Sequence, residues 1–194
     1  MSDSLPFFSD EAFDSFYPMK VRKLSSTHWT PIGVAIKAVI FLVKNHRTRV
    51  LDLGSGAGKF CVVAAMNTDA HITGVEQRAG LVFLSRKLAL HYKVENVSFI
   101  HSDIKEINFR QFDSFYFFNS FEENLNLKDK IDADNNFNPV KYLEYFDFLK
   151  QKLDEANVGT RVVTYYGDSD IIPESYIRVK SVNNGKLLFW EKKH

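Results

Sequence analysis

The stretch Val50-Leu51-Asp52-Leu53-Gly54-Ser55-Gly56-Ala57-Gly58-Lys59-Phe60 decides the fold class of this 194-residue chain. A short apolar strand runs into three glycines at alternate positions, and a helical stretch, Gly58 to Met66, follows. Glycines at 54, 56 and 58 let the backbone turn sharply out of a strand and approach a ligand closely. The helix behind them presents unpaired N–H groups to whatever sits there. Two phosphate-binding loops are excluded. The dinucleotide loop needs G-x-G-x-x-G, whereas position 59 here is Lys, and no Gly-Lys-Ser/Thr follows a four-residue spacer as in the P-loop.

Working outward, Thr30-Pro31 predicts a helix start, with Thr capping free N–H groups and Pro at the first helical position. Ile32, Ile36, Val39, Ile40 and Val43 then recur at helical spacing. Lys37 interrupts this run, which falls short of the ~20 apolar residues of a membrane span, so it reads as a buried helix. Downstream, His71 to Glu76 reads as a strand and Ala79 to Tyr92 as a helix. Val97 to Ile100 and Ser114 to Phe118 suit buried parallel strands. Val140, Leu143, Phe146, Leu149 and Leu153 mark another helix, and Thr160 to Tyr166, Tyr176 to Val182 and Lys186 to Trp190 are closing strands. Asn183-Asn184-Gly185 between the last two is a hairpin turn. The order predicts an α/β fold: a Rossmann-like, doubly wound, mostly parallel seven-stranded sheet with a C-terminal antiparallel hairpin. Ligands of such sheets bind beyond the carboxyl ends of the strands, where strand order reverses.

Composition narrows the class. A hydrophobic fraction of 45%, a charged fraction of 25% and 18 Phe fit a folded globular domain and exclude disorder. The net charge of +1 announces no global field for nucleic acid or acidic membranes. A single cysteine excludes an intrachain disulfide and a cysteine-rich zinc site, and the six histidines show no metal spacing. Asp3, Asp10, Glu11 and Asp14 interrupt the first twenty residues, so no secretory signal is read and a cytoplasmic location is expected. Residues 1–29, with Phe7, Phe8, Phe13, Phe16 and Tyr17, read as an N-terminal arm or lid packed on a main domain of residues 30–194.

Carboxylates stand at the tips of the predicted strands. Glu76 ends the second, about 20 residues past the glycines, where an acid accepts both hydroxyls of an adenosine ribose and repels a 2′-phosphate. Asp103 ends the third and is placed to accept from an adenine amino group; alternatively, Ser102 or Asp103 caps a local turn. Asp52 lies beside the loop, where it offsets a ligand ammonium. The competing reading makes Gly54 and Gly56 a plain turn and Glu76 a solvated charge. Three acids, with no Lys or Arg poised for a pyrophosphate, suit a cationic nucleoside, of which S-adenosylmethionine is one.

On these residues, from Val50 to roughly Phe121, the chain resembles the class I S-adenosylmethionine-dependent methyltransferases, with their Asp-Leu-Gly-x-Gly-x-Gly loop and acids on the second and third strands. Its terminal hairpin resembles the family's sixth and seventh strands. The resemblance implies that Asp52, Gly54 and Gly56 surround the methionine part of the cofactor, Glu76 takes the ribose hydroxyls, and Asp103 with Ile104 holds the adenine. Ser55, Gly58, Gln77, Trp29 and Asn119 complete the expected cofactor-binding set.

Methyl transfer from a sulfonium asks the protein to hold an unprotonated nucleophile in line, in a dry pocket. Amino-group methyltransferases of this superfamily often carry Asn/Asp-Pro-Pro-aromatic after the fourth strand. This chain has Asn119-Ser120-Phe121, without either proline. Asn119 is the candidate acceptor-side catalytic residue, a strand-end cap being the alternative. In Ser25-Ser26-Thr27-His28-Trp29-Thr30-Pro31, Trp29 is placed to shield a sulfonium and His28 to act as a base. The alternative is a packed tryptophan with a surface histidine. Small bacterial methyltransferases of uncharacterised substrate are similar in this run. Cys61 reads as a small core residue. Residues 132–137 begin like a calcium loop but lack its glycine, with Leu143 where a Glu is needed. The expected activity is methylation of an amine on a protein or small molecule, with no membrane partner. RNA or tRNA base methylation and a non-catalytic cofactor-binding subunit are the alternatives, and the oligomeric state is left open.

Overall fold

The computed structural model describes residues 9–22, 29–118, 139–167 and 169–194. Its strands are β1 (Arg49–Leu53), β2 (His71–Glu76), β3 (Val97–His101), β4 (Ser114–Phe118), β5 (Arg161–Tyr165), β6 (Tyr176–Val182) and β7 (Leu187–Lys192). They form one sheet in the order β3-β2-β1-β4-β5-β7-β6. The first five are parallel, and β7 runs antiparallel between β5 and β6. Strand order reverses between β1 and β4, so the chain leaves both tips on either side of one crevice.

The helices are α1 (Asp10–Asp14), α2 (Met19–Arg22), α3 (Ile32–Leu42), α4 (Lys59–Met66), α5 (Ala79–His91) and α6 (Pro139–Asp154). Because strand side chains alternate, the sheet has two apolar faces. Val50, Ile72, Phe99, Tyr116 and Val163 pack with α3, α4 and α5, whereas Leu51, Val75, Phe115 and Val162 pack with Leu149 and Leu153 of α6. The predicted hairpin turn is present, with Asn183, Asn184 and Gly185 at φ 55°, 54° and 83°. Those left-handed values suit Asn and Gly and match the twist of the flanking strands.

Two local expectations are corrected. Ile40 lies on the outer side of α3, 71% exposed, because the helix turns Val34, Ala35, Ala38, Val39 and Leu42 inward and its alanines allow close approach to the sheet. Thr30 does not cap that helix. Its hydroxyl is 2.8 Å from the hydroxyl of buried Tyr116, which needs a partner, and the Ile32 N–H is taken instead by the Asp10 carboxylate at 2.9 Å. The arm thus supplies the cap that the local sequence does not.

Candidate functional site

The glycine loop is tied to the strand beside it. The N–H groups of Gly54 and Ser55 both donate to the Val75 carbonyl, at 3.0 and 2.9 Å, and Gly58 N–H donates to Ser55. Gly54, Gly56 and Gly58 all adopt positive φ, at 77°, 54° and 85°. They do different work. A Cβ at Gly58 would stand 2.5 Å from Ser85 Cβ and 2.9 Å from the Phe99 ring, so this glycine lets α4 close against α5 and β3. At Gly56 a Cβ would meet nothing within 4 Å, so this residue borders open space. Gly74 on β2 serves the same loop unannounced: its Cβ would lie 2.6 Å from Ser55 Oγ and 2.9 Å from Cys61 Sγ. A glycine inside an apolar strand is the signal that could have found it.

Glu76 ends β2 and is 3% exposed. Its Oε2 accepts from Gly56 N–H at 3.0 Å, joining the loop to the carboxylate. Its Oε1 accepts from Arg78 N–H and Nε at 2.9 and 2.8 Å, and Arg78 Nη2 donates to Oε2 at 3.2 Å. The Arg78 guanidinium at this strand tip is thus paired with the Glu76 carboxylate. A residue two positions past a strand end folds back over the turn, so its side chain meets the last strand residue. Gln77 between them is exposed, and its carbonyl accepts from His101 Nε2 at 3.0 Å.

Asp103 caps the 3-10 turn Ile104–Glu106, with Oδ1 accepting from Lys105 N–H at 2.9 Å. Its Oδ2 accepts from the Tyr145 hydroxyl of α6. Of the two readings of Asp103, the cap is therefore present, and the carboxylate also tethers α6 at the adenine end of the expected site. Burial and the Asp103 carboxylate push the Tyr145 hydroxyl well above its ordinary value. Ile104 is buried in the same core as Val75 and Leu53.

Asp52 faces the helix side of β1, where the Cys61 thiol donates to Oδ2 at 3.1 Å. Burial raises the Asp52 carboxyl from 3.8 to about 7; the thiol bond opposes that rise and the charge of Glu76 adds to it. Burial and Asp52 push the Cys61 thiol far up, so it is a packed thiol with no nucleophilic role. Ser55 Oγ is buried without a hydrogen-bond partner among the described residues. Trp29 is half-buried, its ring 4.3 Å from that of Tyr17. His28, Asn119 and residues 132–137 lie outside the described residues. Among the described residues no group of three His, Cys, Asp or Glu side chains is placed to hold a metal.

An orphaned hydroxyl at Ser55, the open side of Gly56 and carboxylates at the tips of β1, β2 and β3 fit a polyhydroxylated cation carrying an adenosyl group. The set accepts hydrogen bonds and offsets positive charge. It offers no nucleophile.

Comparison with known proteins points the same way. A family model described as a methyltransferase domain matches residues 44–161. The release factor glutamine methyltransferase of Buchnera aphidicola subsp. Baizongia pistaciae is 36% identical over 67 residues, which are 34% of this chain and 24% of that protein. The chain thus spans about a quarter of the length of the curated relative it matches. An RNA methyltransferase from Salinibacter ruber, solved with S-adenosyl-L-homocysteine, superposes with a TM-score of 0.60 at 20% identity, covering 85% of this chain and 94% of that one. TrmN from Thermus thermophilus gives 0.62 at 16% identity, over 89% of this chain and 52% of that one. The ribosomal protein L11 methylase from Lactobacillus delbrueckii subsp. bulgaricus gives 0.57 at 13%, over 83% and 78%. At such identities these three share the fold. Among the described residues no helix is long and apolar enough to cross a membrane.

Proposed function

This chain belongs to the methyltransferase-domain family, with S-adenosylmethionine as methyl donor, and from that premise we propose that it methylates an amine nitrogen of a protein or small molecule. The observation that carries the donor half is the meeting of Gly56 and Glu76: an open glycine loop hydrogen-bonded at 3.0 Å to a buried carboxylate at the neighbouring strand tip. A protein acceptor is supported by 36% identity over 67 residues to a release factor glutamine methyltransferase, and a nitrogen acceptor by the place of Asn119 directly after β4 in the sequence.

When bound, S-adenosylmethionine supplies a methyl group on a positively charged sulfur, already activated for transfer. The residues of this chain hold and orient. Asp52, Gly54, Ser55 and Gly56 take the methionine end, and Gly58 serves it by letting the loop close into α4. Glu76, flanked by Gln77, accepts the ribose hydroxyls. A carboxylate has about four lone-pair directions, and Gly56 and Arg78 use them, so the ribose gains its share when the Arg78 guanidinium swings aside. Asp103 and Ile104 border the adenine. Trp29 covers the cationic sulfur with an aromatic face, Asn119 holds the acceptor nitrogen, and His28 takes its proton. Residues 9–22 of the N-terminal arm pack beside this site through Phe13 and Tyr17.

Incubation of the protein with radiolabelled methyl donor and fractionated lysate tests the reading. Label in protein or in small amines supports it. Label in RNA moves the acceptor to a nucleobase, and binding of S-adenosylhomocysteine without any turnover leaves a cofactor-binding subunit.

A further inference from the structure

Lys59 occupies the first residue of α4, where unpaired N–H groups already create positive potential, so a lysine there is the wrong charge for the helix. The remedy comes from the N-terminal arm. The Lys59 side chain is 5% exposed, and its ammonium lies 2.6 Å from Asp10 and 2.7 Å from Asp14. The rings of Phe13 and Trp29 face it, each centroid 5.8 Å away. Asp10 also accepts the Ile32 N–H, so one carboxylate ties together the starts of α3 and α4.

The arm then reaches the loop itself. Tyr17, 2% exposed, donates its hydroxyl to the Ala57 carbonyl at 3.0 Å. Ala57 sits between Gly56 and Gly58, both at positive φ, so a bond to its carbonyl fixes the peptide planes on which the loop's N–H directions depend. Phe13 stacks on Tyr92 at the end of α5, with ring centroids 4.7 Å apart, and anchors the arm from the other side. An ion cluster, a buried hydrogen bond and a ring stack thus converge where the loop becomes α4.

We propose that residues 9–22 of the arm are a built part of the donor site, with Lys59 and Tyr17 as positioning residues that hold the glycine loop in its ligand-binding form. This inference rests on the donor-site reading above.

The test uses the full chain, with S-adenosylhomocysteine as the calorimetric probe and hydrogen exchange over residues 54–58 measured without ligand. Tyr17→Phe removes one hydroxyl and keeps the ring. It weakens binding about five- to tenfold, the scale of one buried hydrogen bond, and speeds exchange in the loop. Lys59→Met weakens binding further, and Lys59→Arg, which keeps a cation between the two carboxylates, restores most of the loss. Unchanged affinity and unchanged loop exchange in Tyr17→Phe and Lys59→Met overturn the proposal. If Lys59→Met fails to fold, Tyr17→Phe decides. If the unaltered protein does not bind the probe, the donor reading falls, and the exchange data still judge the clasp: faster loop exchange in Tyr17→Phe upholds it, and no change overturns it.

Discussion

Replacing Gly56 and Gly58 separately by alanine separates a ligand-facing glycine from a packing one. Both positions sit at positive φ, so each alanine carries the left-handed penalty of about 1–2 kcal/mol. Gly56→Ala adds no clash, because nothing lies within 4 Å of the new methyl. Gly58→Ala drives its methyl to 2.5 Å from Ser85 Cβ and 2.9 Å from the Phe99 ring, and overpacking of that kind costs about 1–3 kcal/mol more. The expected totals are about 1–2 kcal/mol for Gly56→Ala and about 2–5 kcal/mol for Gly58→Ala. At roughly 2–4 °C per kcal/mol for a chain of this size, the first lowers the melting midpoint by about 2–8 °C and the second by about 4–20 °C. Calorimetric titration with S-adenosylhomocysteine should show the reverse emphasis: Gly56→Ala, still folded, loses most of its affinity because its methyl fills the space the ligand enters. The reasoning is refuted if Gly56→Ala binds as tightly as the unaltered protein, or if it destabilises the fold as much as Gly58→Ala does.

Further outcomes follow from the same geometry. Burial raises Asp52 from 3.8 to about 7, so the fold favours its protonated form; that contribution is complete below pH 3.8 and disappears as pH rises through 7. Asp52→Asn should therefore gain stability relative to the unaltered protein by on the order of 4 kcal/mol between pH 4 and 8, and a gap that stays constant in denaturation curves over that range disproves the buried charge. Glu76→Gln keeps an acceptor for Gly56 N–H but removes the charge, and should weaken S-adenosylhomocysteine binding by about 10- to 100-fold, the worth of a charged hydrogen bond. Titration showing undiminished affinity would remove Glu76 from the ribose. Thr30→Val leaves the Tyr116 hydroxyl buried without its 2.8 Å partner and should cost about 1–3 kcal/mol; adding Tyr116→Phe should recover most of that loss in a double-mutant cycle by chemical denaturation.

The strands were legible because their signals are local. Ser114–Phe118 and Tyr176–Val182 are bounded by turn or polar residues, and Asn183-Asn184-Gly185 carries the left-handed chemistry its turn demands. Glu76 was legible for a related reason: an acid at a strand tip one βα unit after a glycine loop is a short-range pattern. Helix faces were harder. Ile40 and Leu143 fit the helical period but face solvent. In α3 the inner face goes to Val34, Ala35, Ala38, Val39 and Leu42, whose alanines allow close approach to the sheet, and in α6 Leu149 and Leu153 are the buried leucines.

Order along the chain therefore settled the α/β class, the sheet's composition and the position of the glycine loop, because each depends on periodicity and backbone freedom within a few residues. Partnership did not. That Asp10 and Asp14 neutralise Lys59, that Tyr17 reaches Ala57 across 40 residues, that Thr30 serves Tyr116 across 86, and that Arg78 takes up Glu76 emerged with the packed fold. A charge or hydroxyl shut away from water must be satisfied by whatever polar group packing brings beside it, and that neighbour is set by how helices and strands stack in space.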